Sequence, residues 1–268
     1  MMRPKPDLTE QPAAGAPDGD EGEFEEGPTE NRLREPLSIV LLLLLCLCAV
    51  TMIKPDVDLD IWARMAVGKL VLETGQVTVH DPFAYTAKKS EWIDHEWGAG
   101  VAFYLVASLG GQKALLVFKA LLLFGTLGFM YLRARRATGR APSLMFHILV
   151  MGALYYGFVA TVRAQAFTFF LFSAWLYLLE RARDGDWRFI WLIPVSGLVW
   201  ANVHGGFLAG IGLIVLFTVG EFLQNRSPAR FAALAAISAL VSLINPYGLR
   251  YWTYLFDATT MTRAYVPE

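Results

Sequence analysis

Apolar stretches alternate along this chain with connections whose charge also alternates, and that pattern restricts the fold more than any other feature. The stretches fall at 37–53, 97–132, 143–162, 165–179, 189–201, 206–223 and 231–244. Arg133, Arg135, Arg136 and Arg140 follow the second stretch, Arg181, Arg183 and Arg188 the fourth, and Arg226 and Arg230 the sixth. The other connections read Arg163-Ala164-Gln165, Asn202-Val203-His204-Gly205-Gly206 and Asn245-Pro246-Tyr247-Gly248. Basic residues stay on the cytoplasmic side of a membrane, so seven crossings put every arginine-rich connection inside and the others outside. The expected fold is all-α: a polytopic transmembrane helical bundle of about seven spans, with an outer loop carrying interfacial helices.

Composition agrees. The chain is 55% hydrophobic and 18% charged, against about 45–50% and about 25% for soluble domains. An ordinary cytosolic enzyme and a basic nucleic-acid binder are therefore not expected. Cys46 and Cys48, the only cysteines, lie inside an apolar run, where thiols serve as small packing groups rather than as a disulfide framework. The net charge of -1 is uneven, because residues 1–35 hold ten acids against four bases.

That first segment, 1–35, reads as a disordered acidic tail, because it has too little apolar surface to offset the entropy of ordering. It lacks the basic start of a signal peptide. Leu37 to Ile53 is a charge-free run of seventeen residues, near the lower limit for crossing about 30 Å of hydrocarbon. Arg32 and Arg34 before it hold the tail in the cytoplasm, and residues 36–268 form the membrane module, in the cell's inner (plasma) membrane. The second stretch is too long for one straight span. Gly110-Gly111-Gln112-Lys113 divides it into an outer amphipathic segment, 97–109, and a crossing helix, 114–132, whose Lys119 is expected to snorkel outward to water.

Residues 54–96 form the outer loop, with eight acids and five bases. Ile61, Trp62, Met65, Ala66 and Leu72 recur at roughly helical spacing, which predicts a helix lying in the membrane interface. Asp60 and Arg64, one turn apart, are placed to pair. His80-Asp81-Pro82 reads as a turn into an extended piece. Trp92 to Trp97 then returns to the membrane.

Several polar residues carry possible chemistry. Asp58 and Asp60 put two carboxylates at the water interface, where they can bind a divalent cation such as Mg or Mn, serve as a general base, or simply stay solvated. His95 and Glu96, beside Asp94, form a second cluster, which reads more simply as a loop anchor than as a zinc site. Arg163 is either a snorkelling interfacial arginine or a clamp for an anion such as phosphate. His204 sits in a turn with Gly205 and Gly206 and is a turn histidine or a site residue. Asn202 and Asn245 lie on the same side, and Asn245-Pro246 reads as a helix stop. The topology gathers all of these at the outer face.

These features resemble the GT-C superfamily of integral-membrane glycosyltransferases, which includes protein O-mannosyltransferases, aminoarabinose transferases and oligosaccharyltransferase catalytic subunits. The resemblance rests on the acids after the first helix, the long outer loop, the passage from Glu96 to Arg136, and Tyr155-Tyr156-Gly157 leading to Arg163. Asp58-Leu59-Asp60, Asp81-Pro82-Phe83-Ala84-Tyr85-Thr86, His95-Glu96-Trp97, Trp200 to Gly206 and Asn245 to Gly248 are similar to a narrower bacterial group in that superfamily, over residues 37–265. The resemblance implies transfer of a sugar from a polyprenyl-phosphate carrier on the extracytoplasmic side. Asp58 or Asp60 would act as base or metal ligand. Arg163 would clamp the phosphate, with Arg250 as a second candidate, and His95, Glu96, Asn202 and His204 would contact substrate. Such transferases carry further helices and often a soluble domain, so the chain is expected to be a fragment, a truncated product or a module that works with a membrane-protein partner. The other functions open to this sequence are a non-catalytic subunit or scaffold of the same fold, and a transporter of a lipid-linked substrate. Only His147 offers that transporter an ionisable group deep in the bilayer.

Overall fold

The computed structural model describes residues 60–83, 85, 92–138 and 162–260. The first apolar run, Asp58, His147 and Tyr155-Tyr156 lie outside the described residues. Among those described, the chain is all-helical: α1 Asp60–Thr74, α2 Trp97–Thr138, α3 Gln165–Arg183, α4 Leu192–Val203, α5 Phe207–Leu223, α6 Ala229–Val241 and α7 Leu249–Thr260. One helical stretch, Trp97–Arg133, is long and apolar enough to cross a membrane by length and composition, and α4, α5 and α6 are shorter apolar helices.

The break expected in the second stretch is present. Gly110 (φ -168, ψ 23) and Gly111 (φ 59, ψ -143) leave helical geometry inside α2, and Gly111 takes a left-handed φ that glycine adopts without steric cost. The break folds the first part of α2 back beside the second. Phe103 before it and Phe118 after it both pack on Phe167 of α3, with ring centroids 5.8 and 5.7 Å away.

Two tryptophans lock the middle of the bundle. Leu171, Trp175 and Leu179 recur every fourth residue and give α3 one buried face. Trp175 meets Trp200 of α4 edge to face at 5.0 Å, a geometry that adds about 1 kcal/mol beyond area burial. It also donates its indole N–H to Ser196 Oγ at 2.9 Å. Gly210 of α5 makes room for the pair, since a Cβ there would lie 2.5 Å from the Trp200 ring.

Successive elements run between two ends. Arg133 and Arg136, late in α2, pair with Glu180 and Asp184 at and beyond the end of α3, at 2.7 and 3.0 Å. Arg183 stacks on Phe217 of α5, and Arg230 of α6 on Trp187. The opposite end gathers the starts of α2, α3 and α5 and the ends of α4 and α6. Between the ends the outward faces of the helices are apolar: Val117 and Leu121 on α2, Val195 and Val199 on α4, Leu216 and Phe222 on α5, and Leu240 on α6 are all exposed.

Two expectations need correction. Lys119 is 1% exposed, enclosed by protein instead of reaching for water. The α1 helix exists, but its buried face is Ile61, Met65, Val67 and Gly68, whereas Trp62 and Leu72 are exposed. Contact between backbones decides this face. A Cβ on Gly68 would stand 2.2 Å from the Gly100 carbonyl, and one on Gly100 would stand 2.4 Å from the Arg64 carbonyl oxygen. Small residues let helices approach this closely.

Candidate functional site

The end opposite the arginine-rich connections holds a polar cluster built from several separate elements. Arg64 of α1 is its centre. Its Nη1 donates to Asp94 Oδ1 at 2.7 Å, and its Nε lies 2.8 Å from Glu96 Oε2. The partners stand thirty and more residues along the chain, in the segment that leads into α2. Asp94 Oδ1 also accepts the Glu96 backbone N–H at 3.0 Å, which closes a tight turn and presents both carboxylates to one guanidinium. Asp94 Oδ2 is buried and has no hydrogen-bond partner among the described residues.

The other elements close around this pair. Tyr247, after α6, accepts the Asp94 backbone N–H at 3.1 Å and donates to the Thr78 carbonyl at 3.4 Å. Tyr251 of α7 donates to the His95 carbonyl at 3.2 Å, and Tyr254 packs on the His95 ring. His204 Nε2 and His95 Nε2 both approach Glu96 Oε1, at 3.4 and 3.6 Å. Burial, then the Arg64 charge, lowers His95 to about 4. His204 is also lowered to about 4, by burial first and then by His95 and Arg64. Both imidazoles are therefore neutral at pH 7. Burial raises Asp94 above the ordinary carboxylate value although Arg64 opposes the shift, and burial raises the Tyr251 hydroxyl.

Beside the cluster is a cavity of about 140 Å³ lined by Asp60, Ile61, Arg64, Glu96, Phe103, Val162, Arg163, Ala164 and Gln165. Its polar wall thus combines two carboxylates with two guanidiniums. Of the residues singled out from sequence, Asp60, Glu96 and Arg163 share this cavity, and His95 and His204 adjoin it through Glu96. Asn202 and Arg250 do not line it. The Asn202 amide instead donates to the Leu198 and Ile244 carbonyls at 2.8 and 2.9 Å, tying the end of α4 to the end of α6. Arg250 is exposed on the first turn of α7.

Among the described residues no group of three His, Cys, Asp or Glu side chains has a geometry that would hold a metal ion. Asp60 is the described member of the Asp58–Asp60 pair, and its neighbours across the cavity include two guanidiniums, a poor donor set for a cation.

Thr168, beside His204, and Tyr251, which holds the His95 carbonyl, were not singled out from sequence, and Trp200 was noted only within a longer motif. Thr168 and Trp200 sit inside apolar stretches and look like core. For Tyr251 a signal existed, since Tyr251 and Leu255 are spaced for one face of a helix.

No family model, curated protein or solved structure matches this chain.

Proposed function

We propose that this chain is a multi-pass membrane glycosyltransferase, or the membrane module of one, that moves a sugar from a polyprenyl-phosphate donor to an acceptor hydroxyl on the extracytoplasmic face. The observation that carries the reading is a cavity that holds Asp60 and Glu96 together with Arg64 and Arg163. It lies at the end of the bundle away from the arginine-rich connections. Seven crossings, an N-terminus in the cytoplasm and a location in the cell's inner membrane belong to the same proposal. The apolar outward faces of α2, α4, α5 and α6 support it, because a surface of that kind is stable against lipid and not against water.

In the proposed step the acceptor oxygen bonds to the anomeric carbon as the bond from that carbon to the phosphate oxygen breaks. The bonding pair leaves on the phosphate. Asp60, exposed at the mouth of the cavity, takes the acceptor proton. Arg163 faces the charge that grows on the phosphate, an electrostatic role worth about 100-fold or more in rate.

The test is turnover of polyprenyl-phosphate sugars by the purified chain in liposomes. Donor hydrolysis or transfer is expected, falling at least about 100-fold in Asp60→Asn and Arg163→Ala, with melting temperatures close to the parent's. Absence of turnover across a panel of hexose and pentose donors would contradict the reading. Co-purification of a membrane protein in that case would favour the subunit or scaffold role.

A further inference from the structure

We propose that Glu96 is a hydroxyl-binding subsite of the cavity and that His204 is the positioning residue that aims it, so that the sugar ring, not the phosphate, occupies the Glu96 end. The inference rests on the glycosyl-transfer reading for its ligand and on hydrogen-bond directions for its geometry.

The directions are fixed by groups that can only donate. The Gly206 backbone N–H donates to His204 Nδ1 at 2.9 Å, so in the neutral ring that nitrogen carries no proton. Thr168 Oγ1 lies 2.9 Å from the same nitrogen. The Trp200 indole N–H, another obligate donor, reaches Thr168 Oγ1 at 3.0 Å. The threonine hydroxyl therefore accepts from the indole, and its own hydrogen shares the single lone pair of His204 Nδ1 with the Gly206 N–H. The single ring proton is left on Nε2, which faces Glu96 Oε1 at 3.4 Å. The hydrogen bonds from Trp200 to Thr168 and on to His204 Nδ1 point the same way and leave the Nε2 proton facing Glu96 Oε1 at 3.4 Å.

Glu96 is held on its other oxygen by Arg64 at 2.8 Å. Its carboxylate is thus fixed from two sides while it forms part of the cavity wall. An ionised carboxylate only accepts hydrogen bonds, so a ligand group beside it has to be a donor. Ring hydroxyls meet that need. Phosphate oxygens are acceptors of the same charge, and they belong with Arg163. A site built to bond a hydroxyl discriminates strongly against ligands that lack it.

The experiment uses the full chain, labelled with ¹⁵N-histidine, in detergent micelles. Four histidines are present, and His204 is assigned by its loss in His204→Asn. The neutral Nε2–H tautomer is expected at pH 7, and the Nδ1–H tautomer would overturn the relay. Neutral hexoses, tried as a panel at saturating concentration, are expected to shift the Nε2 resonance, and inorganic phosphate is expected to leave it in place. A shift with phosphate, or none with any hexose, would overturn the subsite. Neither readout requires turnover, so failure of the transferase reading is scored separately.

Two variants separate positioning from turn formation. An asparagine can accept the N–H two residues on but does not reach Glu96, whereas a glutamine carries an amide N–H to about the position of Nε2. His204→Asn is expected to keep its melting temperature and lose hexose binding at least about tenfold, and His204→Gln is expected to retain binding within about threefold. Hexose binding by His204→Asn equal to the parent's would reduce His204 to a turn residue and refute the proposal.

Discussion

The two ends of the bundle use the same ions in opposite ways. At the arginine-rich end ion pairs lie near water: Arg136 pairs with Asp184, and Arg188 with Asp186. Asp186, held by Arg188 and Arg181, titrates below the ordinary carboxylate range. At the other end one arginine serves two carboxylates, Asp94 and Glu96, in a buried setting with two neutral histidines beside them. Exposed pairs of the first kind contribute little to stability, because solvent screens them. In the second kind the loss of one partner strands a charge away from water. The first end keeps its charges near water, and the second holds polar groups in fixed positions away from it.

The largest expected difference comes from removing the central guanidinium. Arg64→Ala leaves Asp94 and Glu96 facing each other without a cation and should lower stability by about 3 kcal/mol or more, read as a fall in the denaturation midpoint in micelles. A loss no larger than that of a surface pair would erase the contrast.

Acid is the next test. His95 and His204 titrate at about 4 in the folded chain, below the ordinary value of about 6.5, so the unfolded form takes up protons first as pH falls. The stability they contribute is complete above pH 6.5 and is lost between 6.5 and 4. The loss grows steadily as pH falls through this window. Asp94, whose folded value is raised, acts in the opposite direction and offsets part of it. Tm should therefore drop between pH 7.5 and 5, and a His95→Asn/His204→Asn double variant should drop less. An unchanged parent Tm over that range would contradict the buried, neutral pair.

The smallest effect belongs to the wet end. Arg136→Ala, which breaks the exposed pair with Asp184, should change stability by no more than about 0.5 kcal/mol, and less still at high salt. A change comparable with that of Arg64→Ala would show that the ends are not different in kind.

Much of the element order was readable from local signals. The double glycine at 110–111 marks the break in α2, because it acts through the backbone itself, whereas α6 already stops at Val241, four residues before Asn245-Pro246. The faces and partners were harder to read. Arg64 looked placed for Asp60 because both lie on one helix turn, and the hydrogen-bonded carboxylates it reaches are brought to it by the approach of Gly68 to Gly100. That approach also turned Trp62 outward. Lys119 seemed near enough to an end to reach water, but its own helix faces protein there. The α7 helix mixes aromatic and polar residues without an apolar run, so hydropathy passed over it. Asp60, Glu96 and Arg163 were each singled out from sequence. Their common cavity depends on the fold of three chain segments, and Thr168 and Trp200, which hydrogen-bond beside His204, look like ordinary core.

A transferase of the proposed kind needs its two ends on opposite sides of a membrane. The direct measurement is thiol labelling in right-side-out vesicles, with Cys46 and Cys48 first replaced by serine and one cysteine then introduced at Lys69 or at Arg188, both exposed. A membrane-impermeant maleimide should label Lys69→Cys in intact vesicles and Arg188→Cys only after permeabilisation. Equal labelling of both in intact vesicles would contradict the account.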